Sequence, residues 1–128
     1  MGQELSVAER RKAYRRDYSA PVRYRVAQKT APGKYQVSPY FKGVGANFSA
    51  SGAAIDIGKR IPPRTLVYME IKFPYSSEPL LATAEVVRRA DSLVMDKQAY
   101  RMGIRFLVVN EAEQSRMTSF LISGETME

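Results

Sequence analysis

Two short runs of the chain carry the side chains best suited to gripping an anionic ligand. In RRKAYRR, Arg10 to Arg16, three residues separate Arg11 from Arg15. On a helix they share a face; on an extended chain both still reach around one compact ligand. A guanidinium presents five donors in a planar fork, which matches phosphate oxygens or the O6 and N7 acceptors of a guanine. The second run is NFSASG, Asn47 to Gly52. With Phe48 turned into a core, Asn47 and Ser49 fall on the opposite face of a strand. The Asn47 carboxamide both accepts and donates, so it suits the N1–H and N2–H edge of guanine or its O6, and the Ser49 hydroxyl donates to phosphate. Gly52 permits a positive φ and a close approach of ligand to backbone. Each run also has a plainer reading: a solvated basic arm, and a turn whose Asn and Ser satisfy local backbone groups.

Other chemistry is largely excluded by what the chain lacks. It has 128 residues, no cysteine and no histidine. Disulfides, thiolate sites, the commonest general base and every Ser/His or Cys/His arrangement are therefore absent, and no enzyme, metal site or cofactor is expected. Asp91 and Asp96 lie in ADSLVMDKQ without calcium-loop spacing. The net charge is +7. Much of it is concentrated early, where Arg10, Arg11, Lys12, Arg15, Arg16, Arg23, Arg25 and Lys29 face only Glu4, Glu9 and Asp17. Such a region attracts anions through its field, whether nucleic acid, membrane surface or phosphorylated small molecule. No apolar run approaches the roughly 20 residues that cross a bilayer. The absence of a secretion-signal core and of cysteine points to the cytoplasm. MGQELS fits the short myristoylation pattern, which arises often by chance.

The elements that must position these residues are read from periodicity. From Pro21, Val22, Tyr24 and Val26 alternate with Arg23 and Arg25, as in a strand. YQVSPYFKGVGANF, broken by Pro39, Gly43 and Gly45, predicts two short strands or one bent one. GAAIDI sets Ala53, Ile55 and Ile57 on one face, and GKRIPPR is a turn. Three regular alternations follow: Val67, Met69, Ile71 and Phe73; Leu80, Ala82, Ala84 and Val86; then Tyr100, Met102, Ile104, Phe106 and Val108. PYSSEP joins the first pair as a turn, and RRADSLVMDKQ the second as a longer hairpin loop. Asn110 with Glu113 reads as a capping box, Met117, Phe120 and Leu121 mark a helical face, and Gly124 ends it. The expected fold is all-β with a C-terminal helix: one barrel or sandwich of about six antiparallel strands, the helix covering one opening.

The order and spacing of RKAYR and NFSASG, with YRMGIRFL ahead of the helix, resemble the PilZ domain, the bacterial receptor module for cyclic di-GMP. That signature is Arg-x-x-x-Arg before the first strand, then Asp or Asn, a hydrophobic residue, Ser, two residues and Gly. The resemblance implies a six-stranded antiparallel β-barrel with a flexible basic arm. It divides the chain into a tail (1–8), arm (9–20), barrel (21–109), helix (110–122) and second tail (123–128). Arg11 and Arg15 are then expected to hold the guanines and phosphates, Asn47, Ser49 and Gly52 to form the floor, and Arg10 and Arg16 to flank the site. Asn47 stands where many relatives carry Asp; one amide oxygen duplicates a carboxylate's paired acceptance poorly, which implies weaker binding. Also implied are a ligand that docks the arm, taken up singly or as a stacked pair, and signalling through a downstream protein partner in motility, biofilm, secretion or a similar process.

Two other readings remain. Tyr14, Tyr18, Tyr24, Tyr35 and Tyr40 among the arginines fit a single-stranded nucleic-acid binder that stacks bases and contacts phosphates, although DNA or RNA is not the expected partner. The other is a protein adaptor with the same fold that acts without nucleotide.

Overall fold

The computed structural model describes residues 15–94 and 97–123, with side chains described over 15–88 and 100–123. Seven strands and a helix follow one another: β1 (Arg15–Ala31), β2 (Lys34–Val37), β3 (Phe41–Ser49), β4 (Gly52–Ile57), β5 (Leu66–Ile71), β6 (Leu80–Val94), β7 (Lys97–Val109) and α1 (Glu111–Ser123). The sheet runs β2-β1-β3-β4-β7-β6-β5, and β1 also pairs with β5. That last pairing, Val22 to Ala27 against Ile71 to Leu66, closes six strands into an antiparallel barrel with β2 outside the ring. Closure removes the free edges that an open sheet exposes.

Inward residues are those the alternation marked. Val22, Tyr24 and Val26 of β1, Val67, Met69 and Ile71 of β5, and Leu80, Ala82, Ala84 and Val86 of β6 are all buried. Arg23 points to solvent and Arg25 is half-buried. Pro39 separates β2 from β3, so the interrupted segment forms two strands.

Three expectations are corrected. The first strand starts at Arg15 rather than Pro21, because Arg15, Arg16, Asp17 and Ala20 already pair with β3 around an irregularity at residues 18 and 19. The 88–98 segment is mostly ladder rather than loop: Arg88 pairs with Gly103 and the pairing runs on to Val94 with Lys97. Its alternation is hidden by a bulge that leaves Val87 as an extra residue between Val86 and Arg88, so the sequence signal stops where the hydrogen bonding does not. A second bulge, at Leu107, reverses the parity of β7 and turns Val108 outward, 67% exposed, instead of inward.

One barrel opening is sealed by α1. The Asn110 Oδ1 accepts from the Glu113 amide at 3.1 Å, capping the first turn as expected. Met117, Phe120 and Leu121 are buried, and α1 packs on β1 and β3. Phe120 joins Tyr18, Phe73 and Tyr75 in a set of ring contacts with centroids 5.1 to 6.0 Å apart. The helix-ending role expected for Gly124 lies outside the described residues. No described helix is long and apolar enough to cross a membrane.

Gly52 opens β4, paired with Ser49 and Arg105. Its backbone is not left-handed; the one described glycine with positive φ is Gly33, in the turn from β1 to β2. The requirement at Gly52 is space: a Cβ there would meet the Ile104 carbonyl oxygen at 2.1 Å. Gly52→Ala is therefore expected to cost about 1–3 kcal/mol, as overpacking against backbone does, read as a lower urea midpoint. A second test concerns Tyr75, whose phenol is pushed up to about 12 by burial, with Glu113 adding to the rise and Arg116 opposing it. A raised folded-state pKa means stability held in full below pH 10 and lost as pH climbs towards 12. Tyr75→Phe should flatten that alkaline decline in a pH series of thermal melts.

Candidate functional site: a ledge across β1 and β3

Antiparallel pairing of β1 with β3 sets Arg15 opposite Ser49, Arg16 opposite Phe48 and Asp17 opposite Asn47. Arg15 and Asn47 are thus diagonal neighbours on one face, within reach of a long side chain. The Arg15 Nη1 donates to Asn47 Oδ1 at 2.6 Å. Since a guanidinium only donates, the carboxamide must turn its oxygen to Arg15 and its NH2 away from it. Two motifs that lie 32 residues apart meet in this bond.

Arg16, one residue on, takes the other direction. It pairs with Phe48, whose ring is fully buried, and its Nη1 donates to the Leu121 carbonyl of α1 at 2.9 Å. A cation at the end of a helix also meets the negative end of the helix dipole. Arg15 and Arg16 are therefore separated by strand geometry: one serves the ledge, the other holds the helix.

Ser49 is buried rather than displayed, with 2% of its surface exposed. Its Oγ donates to the Gly52 carbonyl at 3.3 Å and lies 3.2 Å from Ser51 Oγ. The turn it closes is tied on two further sides: the Phe106 amide donates to the Ser51 carbonyl at 2.9 Å, and Gln114 Nε2 of α1 donates to the Ala50 carbonyl at 2.5 Å. The NFSASG turn is a rigid corner where β3, β4, β7 and α1 join.

The structure brings together Arg15, Asn47, Ser49 and Gly52 and turns Arg16 to the helix; Arg10 and Arg11 lie outside the described residues. Ser51 and Gln114 are additions to the site. Gln114 stands 64 residues beyond the carbonyl it holds, and no local pattern marks it. Ser51 sits inside the motif, at one of its two unspecified positions.

Nearby electrostatics are mixed. Asp17 lies across from Asn47, and Arg101 donates to Asp56 at 2.8 and 3.1 Å. That bond is the main reason the Arg101 pKa is raised; desolvation opposes it, and the charges of Asp56 and Asp17 add lesser upward pushes. Among the described residues no three Asp or Glu side chains converge as a metal site. Two of the tyrosines are turned into the protein: Tyr24 is 1% exposed, and Tyr18 packs on Phe73 and Phe120. Tyr40 carries Arg23 and Arg25 over its ring at 4.1 and 4.9 Å. Tyr14 lies outside the described residues.

Comparison with known proteins agrees with this architecture. The family model for the PilZ domain matches residues 9–123. No curated protein sequence matches the chain. Among solved structures, the Bacillus subtilis inhibitor of motility, MotI/DgrA, superposes with a TM-score of 0.66 at 17% identity over 86% of this chain. This chain matches 48% of that protein, about half its length. The PilZ domain of Escherichia coli YcgR, solved with c-di-GMP, superposes with a TM-score of 0.60 at 13% identity, covering 86% of this chain and 87% of that one. With a closed six-stranded barrel, one extra strand, a single helix after the last strand among the described residues, and a family match across nearly its whole length, the chain belongs to the PilZ domain family.

Proposed function

We propose that the protein is a cyclic di-GMP receptor that acts as an adaptor, not as an enzyme. The observation that carries this reading is the 2.6 Å bond from Arg15 to Asn47, which joins the arginine motif to the ledge. The YcgR domain was solved with c-di-GMP; carrying that ligand to this chain is the proposal. One donor of Arg15 is engaged by Asn47, and the rest of its fork is left for a phosphodiester or a guanine edge. Because the Asn47 oxygen already accepts from Arg15, its NH2 is the group presented to the ligand. That favours guanine acceptors such as O6 over the N1–H and N2–H edge. Arg11 closes over the ligand from the chain preceding β1, Arg10 flanks it, and Ser49 with Gly52 supports the floor from below.

Arg16 gives the reading a mechanism. A second, stacked copy of the ligand that recruits Arg16 takes it from the Leu121 carbonyl, so the end of α1 feels occupancy of the ledge. Release or repositioning of that helix end is the change offered to a protein partner.

The test is isothermal titration with cyclic di-GMP. Arg11→Ala and Arg15→Ala should each lose about 1.5–3 kcal/mol of binding, as for a charge-assisted contact, and Ser49→Ala about 0.5–1.5 kcal/mol, as for a neutral hydrogen bond. All three variants binding like the parent would overturn the site. Tighter binding to single-stranded oligonucleotides, with a steep loss in salt, would replace the reading with a nucleic-acid binder. Equal partner capture with and without nucleotide would make the domain a ligand-independent adaptor.

A further inference from the structure

The other end of the barrel holds a cavity of about 600 Å³, within the size range of small-molecule sites. It is bounded by the late part of β1, the segment after β4 and the start of β5, whereas the Arg15–Asn47 ledge lies at the first residues of β1. Lys29, Lys59, Arg60 and Arg64 line it, and no carboxylate among the described residues does. Lys29, Lys59 and Arg64, with no carboxylate among the described residues lining the cavity, give it a local positive field.

Two of these cations are held by aromatic faces. Lys59 Nζ sits 3.9 Å from the Phe41 ring centroid, and Arg60 Cζ sits 5.2 Å from that of Tyr100. At Arg64 the backbone is constrained. Its φ of 72° makes it the one described non-glycine residue in left-handed conformation. The surrounding turn enforces that conformation: the Arg64 amide donates to the Val86 carbonyl at 2.6 Å, the Val86 amide to the Thr65 carbonyl at 2.9 Å, and Thr65 Oγ1 to the Pro62 carbonyl at 2.7 Å. Asn or Gly would suit this backbone better than Arg. The cavity also has an apolar side, formed by buried Val26 and Ile61 with exposed Tyr35 beside them.

We propose that this cavity is a second ligand site, independent of the ledge, for a small phosphorylated molecule with a ring or aliphatic body. Its phosphates meet Lys29, Lys59 and Arg64, and its body lies on Ile61 and Tyr35. Lys59 held over the Phe41 ring and the constrained backbone of Arg64 leave less to be ordered when the anion arrives.

Calorimetric titration with tripolyphosphate and with ATP tests the proposal on the parent, Arg64→Gly, Lys29→Gln and Lys42→Gln. Arg64→Gly removes the guanidinium and relieves the positive φ, so its melting temperature should equal or exceed the parent's. Its affinity for both probes should nevertheless fall about tenfold or more. Lys29→Gln should weaken both in the same direction, Lys42→Gln should leave both unchanged, and ATP should bind more tightly than tripolyphosphate. Parent-like affinity in Arg64→Gly, no binding of either probe by the parent, or an equal loss in Lys42→Gln would overturn the site. ATP no tighter than tripolyphosphate would remove the apolar body from it.

Discussion

The register between β1 and β3 is the constraint on which the ledge depends. Side chains alternate faces along a strand, so a slip of one residue would send Arg15 to the helix and Arg16 to the ledge. Ser49 opposite Arg15 and Phe48 opposite Arg16 fix the choice. Phe48 is fully buried, with its ring 5.1 Å from that of Phe73, and the free energy of burying such a ring far exceeds any single surface contact. The core therefore sets which arginine faces which way, and the polar contacts follow.

The same corner ties the helix to the ledge. Arg16 holds the Leu121 carbonyl near the end of α1, Gln114 holds the Ala50 carbonyl from its beginning, and Phe120 sits among Tyr18, Phe73 and Tyr75 between them. The polar ties give direction and the aromatic packing gives adhesion. The beginning of α1 is bonded to the NFSASG turn through Gln114, and its end to Arg16, whose strand partner is Phe48 of the same motif.

Bulges account for where periodicity misleads. At Val87 and at Leu107 one strand carries an extra residue, and the parity of everything beyond is reversed. Val108, apolar and in phase with Ile104 by sequence, is turned to solvent, while Val109 packs against the core instead. A bulge depends on the partner strand and leaves no mark in the residues of its own strand.

The chain alone determined the alternating strands, the cap at Asn110, an all-β domain ending in a helix, and the pair of motifs that carry the family likeness. Those are local patterns or short signatures, each written in neighbouring residues. Tertiary structure decided the rest. Closure through β1 and β5, the divergence of Arg15 and Arg16, the steric need for Gly52 and the role of Gln114 all depend on partners distant in sequence. Gly52 shows the difference most directly: sequence offered conformational freedom as its purpose, and the fold substituted a carbonyl oxygen that leaves no room for a methyl group. Which surface a residue meets is set by packing between strands, and a linear sequence does not state who its neighbours across the barrel will be.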